Sequence, residues 1–309
     1  MKKVLITFSL LLVLSGIAAG QADPINNQYV LNPVSINPAF AGGRGALNLF
    51  TFYGKQWIGI DGSPSTIAIS ADAPFADQKI GLGLMIVSDK IGVTRENQFT
   101  TSYAYRMQTE KGILSFGLGA GITLTNTAFS DLIVLDPGDE IHLVDTRTFA
   151  VPNFSFGTHY SYNNYFVGFS IPRLLNYSFD LAKNKYILDN KTSSYSYLLN
   201  TGYIFDAGNN VKVFPSVLLR YNSIPSPLKF QLDVNTHLCL FDRFWLGASY
   251  RNKRNFATMF QFAPNEQLRI AYSYNFETSQ LGKYSNGSHE VMLRYVFKYS
   301  IEAVNPLNF

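Results

Sequence analysis

The 309-residue chain carries 25 Lys plus Arg against 21 Asp plus Glu, a balance too even to mark a nucleic-acid partner. Charged residues reach only 15% and aromatics also 15%, whereas soluble globular chains run at about 25% charged. The single cysteine, Cys239, excludes an internal disulfide and reads as a small residue packed at a strand end.

Residues 1–20 have the make-up of a secretory signal peptide. Lys2 and Lys3 form a basic start, Val4 to Leu14 are almost wholly apolar, and Ala18 and Gly20 stand three and one residues before the expected cut at Gln21. Losing the two lysines lowers the net charge from +4 to +2. No cysteine lies near the cut, so no lipoprotein anchor is expected. Nothing downstream approaches the ~20 apolar residues that a spanning helix requires. Export, many aromatics, few charges and no helical span point to an outer-membrane β-barrel.

Residues 21–43 alternate little and are rich in turn formers: Pro24, Pro33 and Pro38 beside Asn26, Asn27, Asn32 and Asn37. Two readings stand open, a flexible lead-in or an ordered plug folded into the lumen or against the periplasmic rim. In the second, Tyr29, Leu31, Ile36 and Phe40 anchor it, and Asn32, Pro33, Asn37, Pro38, Ala39, Phe40 and Gly42 are its candidate residues.

From residue 44 to 309 the period is two. Over 114–125, Leu114, Phe116, Leu118, Ala120, Ile122 and Leu124 alternate with serine, glycine and threonine, and 228–238 and 268–276 repeat the pattern. These runs span nine to twelve residues, close to the ~9–11 of a tilted membrane strand and well beyond the ~5–6 of a soluble one. Lipid offers no hydrogen bonds, so such strands must close into a barrel. Fourteen segments are predicted: 44–54, 64–73, 79–89, 96–108, 112–126, 148–162, 164–172, 193–206, 210–222, 227–238, 242–251, 255–263, 266–277 and 287–300. The fold expected is all-β, a transmembrane antiparallel up-and-down barrel with an N-terminal plug-like segment. Connections after even-numbered strands are short and those after odd-numbered strands include the long 55–63, 90–95, 127–147, 173–192 and 278–286, the pattern of a barrel entered from the periplasm. Pro215 sits inside the ninth segment and predicts a bulge or break there.

On this parity Arg106, Arg220, Lys229, Asp233, His237, Arg269 and Arg294 face the lumen, with Lys212, Glu290 and Lys298. Pairing across strands inside a plugged lumen accounts for them. The four histidines, His142, His159, His237 and His289, are scattered with no nucleophile–base motif and no metal-ligand spacing. No catalytic, cofactor-binding or metal residue is therefore expected, and no enzyme. Long loops on a rigid scaffold commonly carry binding. The candidate outer-loop contacts are Lys55, Gln56 and Trp57, the acidic Asp131, Asp136, Asp139 and Glu140, and Tyr177 and Phe179.

At Gln28-Tyr29-Val30-Leu31-Asn32-Pro33, then Ile36-Asn37-Pro38-Ala39-Phe40-Ala41-Gly42, Lys55-Gln56-Trp57 and Gly287-Ser288-His289-Glu290, the chain resembles the PorP/SprF family of Bacteroidetes. Lys55 stands where that family usually has arginine, a departure that puts a bidentate role for the position in doubt. The resemblance implies an outer-membrane protein of the type IX secretion system that works with other secretion components. Such a protein helps export or surface-attach a secreted adhesin or similar partner, in some relatives for gliding. The Asn-Pro-Ala segment is also similar to fatty-acid-transporter-like barrels, so a channel for small or hydrophobic solutes is the competing reading.

Overall fold

A computed structural model of the chain describes residues 27–131, 145–180, 185–191, 194–208, 210–222, 229–252 and 255–297. The expected leader over 1–20, Asp136, Asp139, Glu140 and Lys298 lie outside these residues.

Among the described residues seventeen strands follow one another: β1 Leu47–Lys55, β2 Ser65–Phe75, β3 Ile80–Ile91, β4 Thr94–Gln108, β5 Ile113–Thr127, β6 Phe149–Tyr162, β7 Tyr165–Ile171, β8 Tyr177–Asp180, β9 Lys185–Leu188, β10 Ser196–Tyr203, β11 Phe205–Asp206, β12 Val211–Asn222, β13 Phe230–Leu240, β14 Phe244–Arg251, β15 Asn255–Phe262, β16 Leu268–Glu277 and β17 Ser288–Phe297. Fourteen of them close into one antiparallel barrel, in the order β1 to β7, β10, then β12 to β17. The seam is sealed by β1 against β17, from Leu47↔Phe297 to Lys55↔His289. Between β7 and β12, β10 completes the ring. A closed ring leaves no strand edge unpaired, which hydrocarbon surroundings demand.

Burial is the reverse of a soluble protein's. Along β13, Phe230, Leu232 and Val234 point outward and are exposed, while Gln231, Asp233, Asn235 and His237 are buried. Ile69 is 54% exposed and Leu118 59%, whereas Asp233 is 0%. Only a surface solvated by lipid makes that pattern favourable, since each exposed apolar side chain costs about 1.5–3 kcal/mol in water.

Each of the fourteen predicted segments overlaps one barrel strand, with ends moved by a few residues. Three details differ. The predicted loop 90–95 shrinks to Gly92-Val93, because β3 and β4 stay paired up to Ile91↔Thr94 and Gly92 takes φ +57° for a two-residue turn. Inside the predicted loop 173–192, β8 and β9 form a hairpin of their own. Each is four residues long, too short for alternation to register. At Pro215 the break falls in the neighbouring strand. Pro215 pairs with Thr236 on one side. On its other side β10 ends at Tyr203 and resumes as β11 in unchanged register, since Gly202 pairs with Ser216 and Phe205 with Val213. Proline has no N–H to donate to Tyr203, and that ladder bond is lost.

The wall is uneven. β4 and β5 have 15 residues each and β7 has 7. At ~3.3 Å per residue and a tilt of ~40° the tall strands rise about 38 Å, beyond an apolar band of about 25 Å. At the opposite end the turns are tight, and Asn163, Phe241 and Asp242 hold positive φ there.

Candidate functional site: the lumen and the long-loop rim

Residues 27–42 do not join the wall; they fold inside it, and Gly43 to Gly45 are exposed before β1. Three 3₁₀ turns, Asn27–Val30, Pro33–Ser35 and Pro38–Phe40, succeed one another. Proline begins the second and third, where a missing N–H costs nothing. Asn37 caps the third by accepting from Ala39 N at 2.9 Å. Leu31, Asn32, Asn37, Pro38, Ala39, Ala41 and Gly42 are buried, and Pro33 and Phe40 half-buried. Leu31 packs with Phe50, Phe52, Ala68, Met259 and Met292 of the inner wall, and Tyr29 and Ile36 pack with Leu198 and Leu218.

Polar groups of the same segment are tied to the wall. Asn32 Nδ2 donates to Ser70 Oγ at 2.9 Å. Asn37 Nδ2 donates to the carbonyls of Thr158 and Phe169. Gly42 N donates to Asp72 Oδ2 at 2.8 Å, and Arg106 donates to the carbonyls of Ala41 and Gln78. Arg44 Nη2 donates to Leu31 O at 2.6 Å. Phe40 lies over His159 with ring centroids 4.2 Å apart.

The fit depends on glycines of the wall. A β-carbon at Gly81 would overlap Ala41 O, and one at Gly117 would overlap Ala39 N. Only hydrogen lets the backbone approach so closely.

On the other side of the lumen, charge is paired. Arg251 grips Asp233 with two hydrogen bonds, Nε to Oδ1 at 2.9 Å and Nη2 to Oδ2 at 2.8 Å, both side chains buried. Asn235 Nδ2 donates to Tyr29 OH at 2.8 Å, and Asn27 Nδ2 to Ser273 Oγ and Asn275 Oδ1. Of the residues expected inside, Arg220 and His237 are buried, and Arg269 and Arg294 half-buried. Arg269 lies 4.8 Å from the Trp245 ring centre. Lys229 is a correction: it has the inward parity, but β13 starts one residue later, and its side chain is exposed at the rim.

Sequence reasoning missed Arg251, Asp72 and Arg44. The first two were within reach. Outward Phe244, Leu246 and Tyr250 make Arg251 inward, as Ile67 and Ile69 do Asp72, when the parity is carried to the end of the strand. Arg44 lies before β1, where no period applies.

At the long-loop rim, the connections 56–64 and 278–287 are zipped together. Ile58 N donates to Gly287 O at 2.9 Å and Asn286 N to Ile58 O at 2.7 Å. Trp57, at φ +47°, donates from its backbone to Ser288 Oγ and from Nε1 to Glu277 Oε2 at 3.1 Å. Lys55 Nζ donates to Ser63 O, and Gln56 N to Pro64 O. Thus Lys55, Gln56 and Trp57 all bond within the rim. Phe179 packs edge-on to Phe149 and Tyr186, and Tyr177 is half-buried beside it. Asp131 ends the 3₁₀ turn Phe129–Asp131. The exposed Asp145 accepts from Ser130 N, which lowers its carboxyl pKa. Among the described residues no three His, Cys, Asp or Glu side chains gather to hold a metal ion.

Above the segment, toward the long loops, lies a cavity of about 480 Å³. Its floor is Val34 to Pro38, and its walls include Met85, Val87, Asp89, Glu96, Arg173 and Arg220.

An apolar exterior, a closed ring and a polar, largely filled interior define an outer-membrane β-barrel protein. Within that class the chain belongs to the PorP/SprF family: the family model described as type IX secretion system membrane protein PorP/SprF matches residues 18–295. No curated protein sequence matches. Solved structures similar in fold include Omp33 of Acinetobacter baumannii, at 7% identity and TM-score 0.50 over 82% of this chain and 98% of that one. The toluene transporter TbuX of Ralstonia pickettii shares 8% identity at TM-score 0.51, over 86% and 93%. At such identities the likeness is one of fold alone.

Proposed function

We propose that this protein is a plugged, non-enzymatic barrel that binds a secreted adhesin or similar type IX substrate at its long-loop rim and holds it for export or surface attachment. The observation that carries this reading is the seating of Asn37–Gly42 against glycines of the inner wall. A lumen filled in that way favours a role for the outer loops over free passage of solutes. The segment 27–43 is the plug, and its polar ties to Ser70, Asp72 and Thr158 keep it in register. The binding surface is formed by the loop 127–147 with its acidic residues, the β8–β9 hairpin and the zipped 56–64 rim.

Co-purification of the full chain with the C-terminal domain of a type IX substrate tests the reading. Deleting 127–147 is expected to abolish capture while the barrel keeps its heat-modifiable gel mobility; unchanged capture sinks the loop assignment. The competing channel reading draws on the 480 Å³ cavity. Steady conductance of the intact protein in planar bilayers, with no partner present, would favour it.

A further inference from the structure

The cavity above the plug has charge of opposite sign on its two sides. Asp89 and Glu96 are direct cross-strand partners on β3 and β4, both half-buried and both lining the cavity. Like charges in that position destabilise a ladder unless positive charge is brought close. Counting round the ring from β12 through β10, β7, β6 and β5, β4 is the fifth strand away and β3 the sixth. In a ring of fourteen that is nearly the opposite wall, so Arg220 on β12 faces the carboxylates across the lumen. Arg173, just after β7, lines the cavity between these two sides: Asn153 Nδ2 donates to Pro172 O and Leu174 N to Phe154 O, both on β6, two strands from β4 and three from β12.

Neither set depends on being without protein partners; Asp89, for one, accepts from Thr66 Oγ1 at 2.6 Å. What matters is the separation of sign across a space bounded by low-dielectric walls, which focuses the field inside it. Such a field orients and retains a solute that carries both charges and gives no net gain to a neutral one. Between the charged sides the lining is mixed, with Met85, Val87, Leu198 and Ile36 beside Gln98, Thr100 and Ser155. That mixture suits a backbone of amides bearing small side chains. The volume, about 480 Å³, falls within the ~300–1,000 Å³ of small-molecule sites. Val34 to Pro38 close the space on the side of the tight turns.

We infer that this outer vestibule binds a zwitterionic ligand of short-peptide size, its ammonium end at Asp89 and Glu96 and its carboxylate end toward Arg220.

Isothermal titration calorimetry on the full chain in detergent tests this, with trialanine as the zwitterion and N-acetyl-trialanine amide as its neutral counterpart. Trialanine is expected to bind at least tenfold more tightly than the blocked peptide, and more weakly as salt is raised. The double variant Asp89→Asn, Glu96→Gln is expected to remove that preference; the asparagine can still accept from Thr66. Arg220→Gln is expected to weaken trialanine several-fold in a barrel that keeps its folded gel mobility. Equal affinity for the two peptides overturns the inference. So does absence of binding heat for trialanine while the protein retains its folded gel mobility. Loss or retention of a secreted partner after deletion of 127–147 leaves this result unchanged, so the two readings fail separately.

Discussion

Beside the short turns, Asn37 to Gly42 lie against Gly81 and Gly117 so closely that no β-carbon fits between. Toward the long loops, the same wall holds a cavity of about 480 Å³ edged with carboxylates and guanidiniums. One half of the lumen is packed like a protein core, where a single added methyl group is felt. The other is shaped like a ligand site, mixed in polarity and open at one end. The barrel therefore has a filled half and an open half, and Val34 to Pro38 are the floor between them.

Four experiments can break or sharpen that contrast. The largest effect is expected from Arg251→Ala, which strips the buried Asp233 of its two charge-assisted bonds. Leaving one member of a buried pair alone costs about 3–5 kcal/mol. Urea unfolding of the barrel in detergent should show a drop of that size, and a double replacement of Asp233 and Arg251 by Leu and Met should restore most of it. Next comes Gly117→Val, which puts a branched side chain where Ala39 N sits. Overpacking of this kind costs about 1–3 kcal/mol. The segment 27–42 should leave its seat, become at least tenfold more sensitive to protease and raise conductance, with far-UV circular dichroism unchanged. Continued protection of the segment would count against the division drawn above.

Trp57→Phe tests the open half. It removes the Nε1–Glu277 bond at 3.1 Å, a contribution of about 0.5–1.5 kcal/mol. The amides of Ile58 and Asn286 should exchange up to about tenfold faster, with barrel stability hardly altered. The smallest effect belongs to the tight-turn end, where Lys212 Nζ donates to Asp242 at 2.7 Å, both side chains well exposed. That bond holds the Asp242 carboxyl below its usual value. A depressed folded-state pKa contributes stability above the unfolded value of about 3.9, and that stability fades as pH falls through the lower one. For an exposed pair it is at most about 1 kcal/mol. Asp242→Asn should therefore shift the urea midpoint slightly at pH 7 and not at all at pH 2.

How much of this could be read before the fold was known depends on range. Strand positions along β5 and β13 were legible, because each second residue meets lipid and must be apolar whatever its neighbours do. The tight turns followed from the same count. The glycines of the inner wall looked like small lumen residues, and nothing local marked Gly117 as the seat of Ala39, 78 positions away. Lys229 failed for the opposite reason: its parity was right, but the ladder begins at Phe230.

From the sequence alone came fourteen two-faced segments and a turn-rich start, since a strand's period records only the two media it separates. Ring closure and register decided the rest: which carboxylate meets Arg251, which glycines admit Asn37 to Gly42, and that Asp89 and Glu96 look across the lumen at Arg220. Those relations join residues through space, and an alternating pattern carries no record of what stands on the far wall.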